Sequence, residues 1–149
     1  MKVLFVCKGN VGRSQMAEAI FNSLAEGKAI SSSCGVDPKD AEGTRVGERG
    51  PLVARCMKEI GLYISDNVSK AITKDMFDTA DLVVSMVDKS ALPEYAQNSD
   101  KVTFWKIENP HFLDYDGNVK VRDTIYKNVA ELVEKIKAAD HKKAKHSYR

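Results

Sequence analysis

Near the start of the chain a thiol, a guanidinium and a hydroxyl fall within one short run, Cys7-Lys8-Gly9-Asn10-Val11-Gly12-Arg13-Ser14. An apolar stretch, Val3-Leu4-Phe5-Val6, precedes it, and a helical pattern opens at Ser14 or Gln15. A cysteine at the point where a buried strand becomes a helix sits in a useful field. Helix-start N–H groups converge on anions, and the helix dipole favours negative charge there. The same field favours the thiolate over the thiol. An arginine six residues on can return to grip an oxyanion through two parallel hydrogen bonds. Gly9, Asn10 and Gly12 tolerate the backbone angles that aim successive N–H groups inward. Ser14 offers a hydroxyl to the sulfur. The chemistry these residues allow is an anion cradle with an available thiolate, Cys7, inside it.

The other cysteines serve as internal controls. Six residues after Cys34 stands Asp40, and six after Cys56 stands Leu62. Only Cys7 has the arginine, with strand before it and helix after. The run contains neither Gly-x-Gly-x-x-Gly nor Gly-Lys-Ser/Thr, so it does not match the glycine-rich loops that cradle nucleotides.

The elements that must position these residues follow from periodicity. Residues 3–6 read as a buried strand, and 15–26 as a helix with Ala17, Ile20, Phe21 and Leu24 on its apolar face. Residues 29–34 form a second strand, and the charged, glycine-rich stretch 37–50 a loop. Pro51 suits a first helical turn, and Leu52, Val53, Cys56, Met57 and Ile60 make a stripe closed by Gly61. Residues 73–77 make a helical turn, 81–87 and 101–107 further strands, and 90–97 a short helix between them. A long helix covers about 119–138, with Val121, Ile125, Val129, Leu132 or Val133, and Ile136 inward. Strands alternating with helices predict a single-domain α/β fold: a parallel sheet covered by helices on both faces. Ligands bind such sheets beyond the carboxyl ends of the strands, where Cys7 lies. The domain is expected to span 1–139, followed by a basic, frayed tail over 140–149.

Composition bounds the function classes. With 149 residues, 43% apolar, one core is affordable. A net charge of +2 with 30% charged residues gives no reason to expect a nucleic-acid or membrane partner. The N-terminal apolar stretch is too short for a signal peptide and no small-residue cleavage site follows it. Three cysteines without paired spacing do not form a disulfide framework. A reducing cytoplasm is therefore expected. His111, His141 and His146 make no ligand cluster with the cysteines, so neither metal nor cofactor is expected.

The run Val6 to Ser14 resembles the phosphate-binding signature of low-molecular-weight protein tyrosine phosphatases and thioredoxin-coupled arsenate reductases. The resemblance continues through Gln15-Met16-Ala17-Glu18, Ser33-Cys34-Gly35, Gly61-Leu62-Tyr63-Ile64-Ser65 with Ser69-Lys70, Asp81-Leu82-Val83-Val84, and Val121-Arg122-Asp123 with Ile125. It implies a four-stranded parallel sheet with the phosphate-binding loop after the first strand. It also implies a two-step phosphoryl transfer without metal. Cys7 would attack phosphorus to give a phosphocysteine that water hydrolyses. Arg13 and the amides of Lys8 through Arg13 would stabilise the equatorial oxygens. Asn10 would hold the loop's shape, and Ser14 would steady the thiolate. Partners implied are a phosphorylated protein or a small phosphomonoester, with phosphate or arsenate as the bound oxyanion, on a monomer.

Two departures qualify this. The family's general acid is an aspartate just before a proline, and in Trp105-Lys106-Ile107-Glu108-Asn109-Pro110 that position is Asn109. An amide cannot donate a proton to a leaving alkoxide or phenoxide. Glu108 and Asp114 are the candidate substitute acids, with Asp116 in a turn behind them; a substrate with a good leaving group would need none. Secondly, the region after Val84 reads Ser85-Met86-Val87-Asp88-Lys89-Ser90-Ala91-Leu92, without the two cysteines of the reductases' disulfide relay. Gly12 stands where many of the phosphatases keep a second cysteine. His111 and Phe112, after the proline, would flank an aryl phosphate, and Lys8 would favour an acidic substrate. Three readings follow: a phosphatase acting on phosphotyrosine, an arsenate reductase using an external thiol, and a phosphate-binding module with weak turnover.

Overall fold

Val3 through Cys7 are all nearly inaccessible to solvent, as a strand covered on both faces must be. In this computed structural model, which describes residues 1–147, β1 (Lys2–Cys7) lies inside a sheet with β2 (Ile30–Gly35), β3 (Leu82–Ser85) and β4 (Val102–Phe104). The order is β2-β1-β3-β4 and every pairing is parallel. The sequence-predicted four-stranded parallel sheet is therefore the one observed.

Side chains of β1 alternate between two cores, as the two-residue period of a strand requires. Val3, Phe5 and Cys7 face α1 (Arg13–Ala25), α3 (Pro51–Glu59) and α6 (Tyr115–Ser147), joining Met16, Ile20, Met57 and Ile125. Leu4 and Val6 face the other side, where Phe77 of α4 (Lys74–Thr79) and Ala96 of α5 (Glu94–Gln97) pack with Cys34. Phe5 meets Phe21 edge-on, with centroids 5.8 Å apart, and Trp105 at 5.9 Å. That cluster packs β1 against α1 and the chain leaving β4.

Four elements differ from the periodicity reading. The helix expected over 90–97 is a 3-10 turn at Lys89–Ala91 followed by the separate helix α5. The stretch 37–50 is not all loop: it holds a 3-10 turn at Lys39–Ala41 and the one-turn helix α2 (Val46–Arg49). β4 ends at Phe104 because it is an edge strand, paired only with β3 and largely exposed. α6 starts at Tyr115, because Asp114 Oδ1 accepts the Gly117 N–H at 2.8 Å and caps the first turn. Tyr115-Asp116-Gly117-Asn118 is thus a helix start, not a turn. α6 also continues through Ser147, so residues 140–147 are helical. Between Val119 and Ser147 there is no Gly or Pro, and Ala, Lys and Glu sustain the helix. Val133, rather than Leu132, is the buried member of its pair.

Candidate active site

Asn10 is the keystone of the loop between β1 and α1. It is fully buried and adopts the left-handed region, φ 54°, which Asn enters more readily than other L-residues with a side chain. Its Nδ2 donates to Ser14 Oγ at 2.7 Å and to Ser33 Oγ at 3.0 Å. Its Oδ1 accepts from the Lys70 N–H at 3.0 Å and from Gln15 Nε2 at 3.1 Å. Its backbone oxygen accepts from Ser69 Oγ at 2.8 Å. Residues 60 apart in sequence thus clamp the loop from beneath. Of the glycines expected to supply unusual angles, Gly12 instead supplies closeness: a Cβ there would stand 2.9 Å from Pro110 Cγ. Gly35 does the same at the end of β2, where a Cβ would lie 2.6 Å from the Lys8 carbonyl oxygen.

Around Cys7 the geometry is compact. Its Sγ lies 2.9 Å from Ser14 Oγ and accepts the Asn10 N–H at 3.3 Å. Both contacts stabilise a thiolate, the second directly from the loop backbone. α1 begins at Arg13 with no side chain capping it, so its positive dipole end opens at the sulfur. Arg13 is itself buried; its NH1 donates to the Met86 oxygen at 2.7 Å and the Ile107 oxygen at 3.0 Å. Those carbonyls follow β3 and β4, so the guanidinium is locked across the carboxyl edge of the sheet. NH1 alone makes both of these bonds.

A cleft of about 660 Å³ opens above Cys7 and Arg13. Lys8, Gly9, Val11 and Gly12 line its floor beside them, while Asn10 lies underneath and does not. One wall is Asn109 to Phe112. Asn109 Oδ1 accepts the His111 N–H at 3.1 Å and caps the 3-10 turn Pro110–Phe112. His111 and Phe112 form a T-shaped pair 4.5 Å apart, and Phe112 is 92% exposed at the rim. The rest of the lining comes from residues 37–41 and 49–53.

The structure thus brings together Cys7 to Ser14 with Asn109, His111 and Phe112. Neither candidate substitute acid, Glu108 or Asp114, borders the cleft. Glu108 faces a second hollow with Lys106 and Lys120, because the residue next to Asn109 points the other way along an extended chain. Asp114 is exposed and its oxygen caps α6. Sequence reasoning missed Ser33 and Gln15 as loop supports, although both stand in the motifs that carry the resemblance. It also missed the charged wall at Asp37, Lys39, Asp40 and Arg49, whose pattern carries no periodicity.

A nucleophile-bearing loop at the carboxyl edge of a β2-β1-β3-β4 parallel sheet defines the class as a phosphate-loop cysteine fold. The model of the low molecular weight phosphotyrosine protein phosphatase family matches residues 2–143, and the chain belongs to that family. It is 33% identical over 136 residues to a glutaredoxin arsenate reductase of Synechocystis sp., covering 91% of this chain and 98% of that one. It is 34% identical over 133 residues to the human low molecular weight phosphotyrosine protein phosphatase, covering 87% and 83%. The solved low molecular weight protein tyrosine phosphatase of T. tengcongensis superposes with a TM-score of 0.78 at 31% identity, over 91% of this chain and 99% of that one.

Proposed function

We propose that this chain is a cysteine-dependent phosphatase that hydrolyses phosphomonoesters, with protein phosphotyrosine as its substrate class. The observation that carries this reading is the Cys7 sulfur, 2.9 Å from Ser14 Oγ and 3.3 Å from the Asn10 amide, at the floor of an open cleft. Cys7 attacks phosphorus, the S–P bond forms and the ester P–O bond breaks. Water then attacks the phosphocysteine, releasing phosphate and restoring the thiolate. Arg13 and the amides of Lys8 through Arg13 hold the three equatorial oxygens, where developing charge is best stabilised. Ser14 donates to the sulfur as it leaves. His111 and Phe112 flank the ring of an aryl ester, and Lys8 at the rim favours an acidic peptide. The acting unit is a monomer in the cytoplasm, a reducing compartment in which a nucleophilic thiolate survives.

The test is hydrolysis of 4-nitrophenyl phosphate and of a phosphotyrosine peptide. Wild type is expected to release phosphate from both, and Cys7→Ser to abolish release while still binding inorganic phosphate. Binding without turnover in wild type would reduce the protein to a phosphate-binding module.

A second reading is favoured by the arsenate reductase relative at 33% identity. Here Cys7 attacks arsenate, and a thiol from outside the chain resolves the adduct. Cys34 and Cys56 are buried, and burial pushes the Cys34 thiol up to about 12, which unfits it for an internal relay. Arsenate-dependent consumption of glutathione or thioredoxin without phosphatase activity would establish this reading over the first.

A further inference from the structure

The family's proton donor is missing at Asn109, and neither Glu108 nor Asp114 borders the cleft. Among the described residues, the carboxylates that do border it are Asp37 and Asp40, both on the segment that follows β2. They are not equivalent. The chain leaves β2 through Val36, whose N–H donates to the Cys7 oxygen at 2.9 Å. The next N–H, that of Asp37, donates to the Lys8 oxygen at 2.9 Å. Asp37 is therefore pinned directly beside the nucleophile's loop, and Gly35 lets the two backbones close to that distance. Asp40 stands further out in the 3-10 turn, where its carbonyl accepts from Arg49 NH2 at 2.7 Å.

A second feature marks the same spot. Lys39 adopts φ 50°, a left-handed conformation that L-residues with a straight side chain rarely hold. Such strain clusters at sites where geometry matters to function. The turn it makes brings Lys39 Nζ to 3.8 Å from Asp37 Oδ2. The segment thus places a carboxylate, paired with Lys39, on the border of the cleft that Asn109 also lines.

We propose that Asp37 is the proton-transfer residue of this phosphatase, acting from the segment that follows β2 rather than from the Asn109 position. The proposal rests on the phosphatase reading above. In the first step the S–P bond forms, the P–O bond to the leaving group breaks, and the Asp37 carboxyl proton passes to the departing oxygen. In the second step water's oxygen bonds to phosphorus, the S–P bond breaks, and the water's proton returns to the Asp37 carboxylate. One proton is lent and recovered per cycle.

The experiment compares wild type, Asp37→Asn and Asp40→Asn on phenyl phosphate, a poor leaving group, and on 4-nitrophenyl phosphate, across pH. Asp37→Asn is expected to lower kcat on phenyl phosphate about 10²-fold, within the usual range for a general acid, and on 4-nitrophenyl phosphate by much less. The alkaline fall of the phenyl phosphate profile should disappear with it. Adding Asn109→Asp to that variant should restore turnover of phenyl phosphate. Equal losses on both esters, an unchanged profile, or the same effects from Asp40→Asn instead would overturn the assignment to Asp37 alone. Failure of wild type to hydrolyse either ester would overturn the phosphatase reading and the proton role with it.

Discussion

Two asparagines do opposite things at the ends of the active site. Asn10 uses its amide fully, with two acceptors on Nδ2 and two donors on Oδ1. Asn10→Ala would strand several buried polar groups, each costing about 1–3 kcal/mol, and would place a Cβ-only residue in the left-handed region. We expect a loss of at least about 3 kcal/mol of unfolding free energy in denaturant titration, together with loss of phosphate binding by calorimetry. A fold that survives with phosphate affinity unchanged would show that the clamp is not what shapes the loop. Asn109, by contrast, uses its oxygen to cap a turn, a bond that an aspartate makes equally well. Asn109→Asp should therefore leave stability unchanged while raising turnover of phenyl phosphate more than that of 4-nitrophenyl phosphate. Equal gains on the two esters would count against Asn109 occupying a proton-donor position. The Cys7, Asn10, Arg13 and Ser14 positions were legible in the sequence because a short contiguous loop carries its own geometry. The substitute acid was not, since Asp37 lies thirty residues away and reaches the site only through the parallel pairing of β1 with β2.

The elements explain why that pairing is so close. Gly35 pairs with Cys7 at the end of the β1–β2 register, and its N–H and C=O are held by Lys70 and Ile72. A methyl group there would lie 2.6 Å from backbone, not from a side chain that could swing away. Gly35→Ala is expected to destabilise by about 1–3 kcal/mol and to lower kcat/KM by displacing the loop that carries Lys8 and Asn10. An unchanged melting curve and kcat/KM would show that the two strand ends have more freedom than their hydrogen bonds indicate. The strands and α1, α3 and α6 were visible in the sequence because each repeats its apolar residues at the period of its own geometry. The wall from Asp37 to Arg49 escaped because it is built from a 3-10 turn and a single helical turn, too short for any period to register. α6 was placed late for a related reason. Its start is set by one side-chain bond from Asp114, while Gly117 in its first turn imitates a loop.

At the scale of the molecule, the sheet keeps the three thiols apart. Cys7 packs on the α1 and α6 side, whereas Cys34 pairs in register with Val6 and packs on the α4 and α5 side. Cys56 is buried on α3, where its Sγ donates to the Val53 oxygen at 3.3 Å. Burial, followed by the nearby Cys7 charge, lifts the Cys34 thiol to about 12. Because the folded pKa lies above the unfolded one, the unfolded chain ionises first as pH rises. The stability tied to this thiol is complete below about 9 and fades toward 12. A Cys34→Ala variant should show a shallower loss of stability in that range. The same separation governs oxidation. A sulfenic acid on Cys7 condenses with a second thiol only if one can reach it, and neither Cys34 on the far face nor Cys56 in its helix is placed to do so. Mild peroxide should therefore carry Cys7 onward to the sulfinic acid, with activity not regained on adding dithiothreitol, and bound phosphate should protect it. Peptide mapping under non-reducing conditions reads this directly. A disulfide joining Cys7 to Cys34 or Cys56 would mean that the sheet opens enough to bring the thiols together, and the same motion would make an internal relay for arsenate available after all.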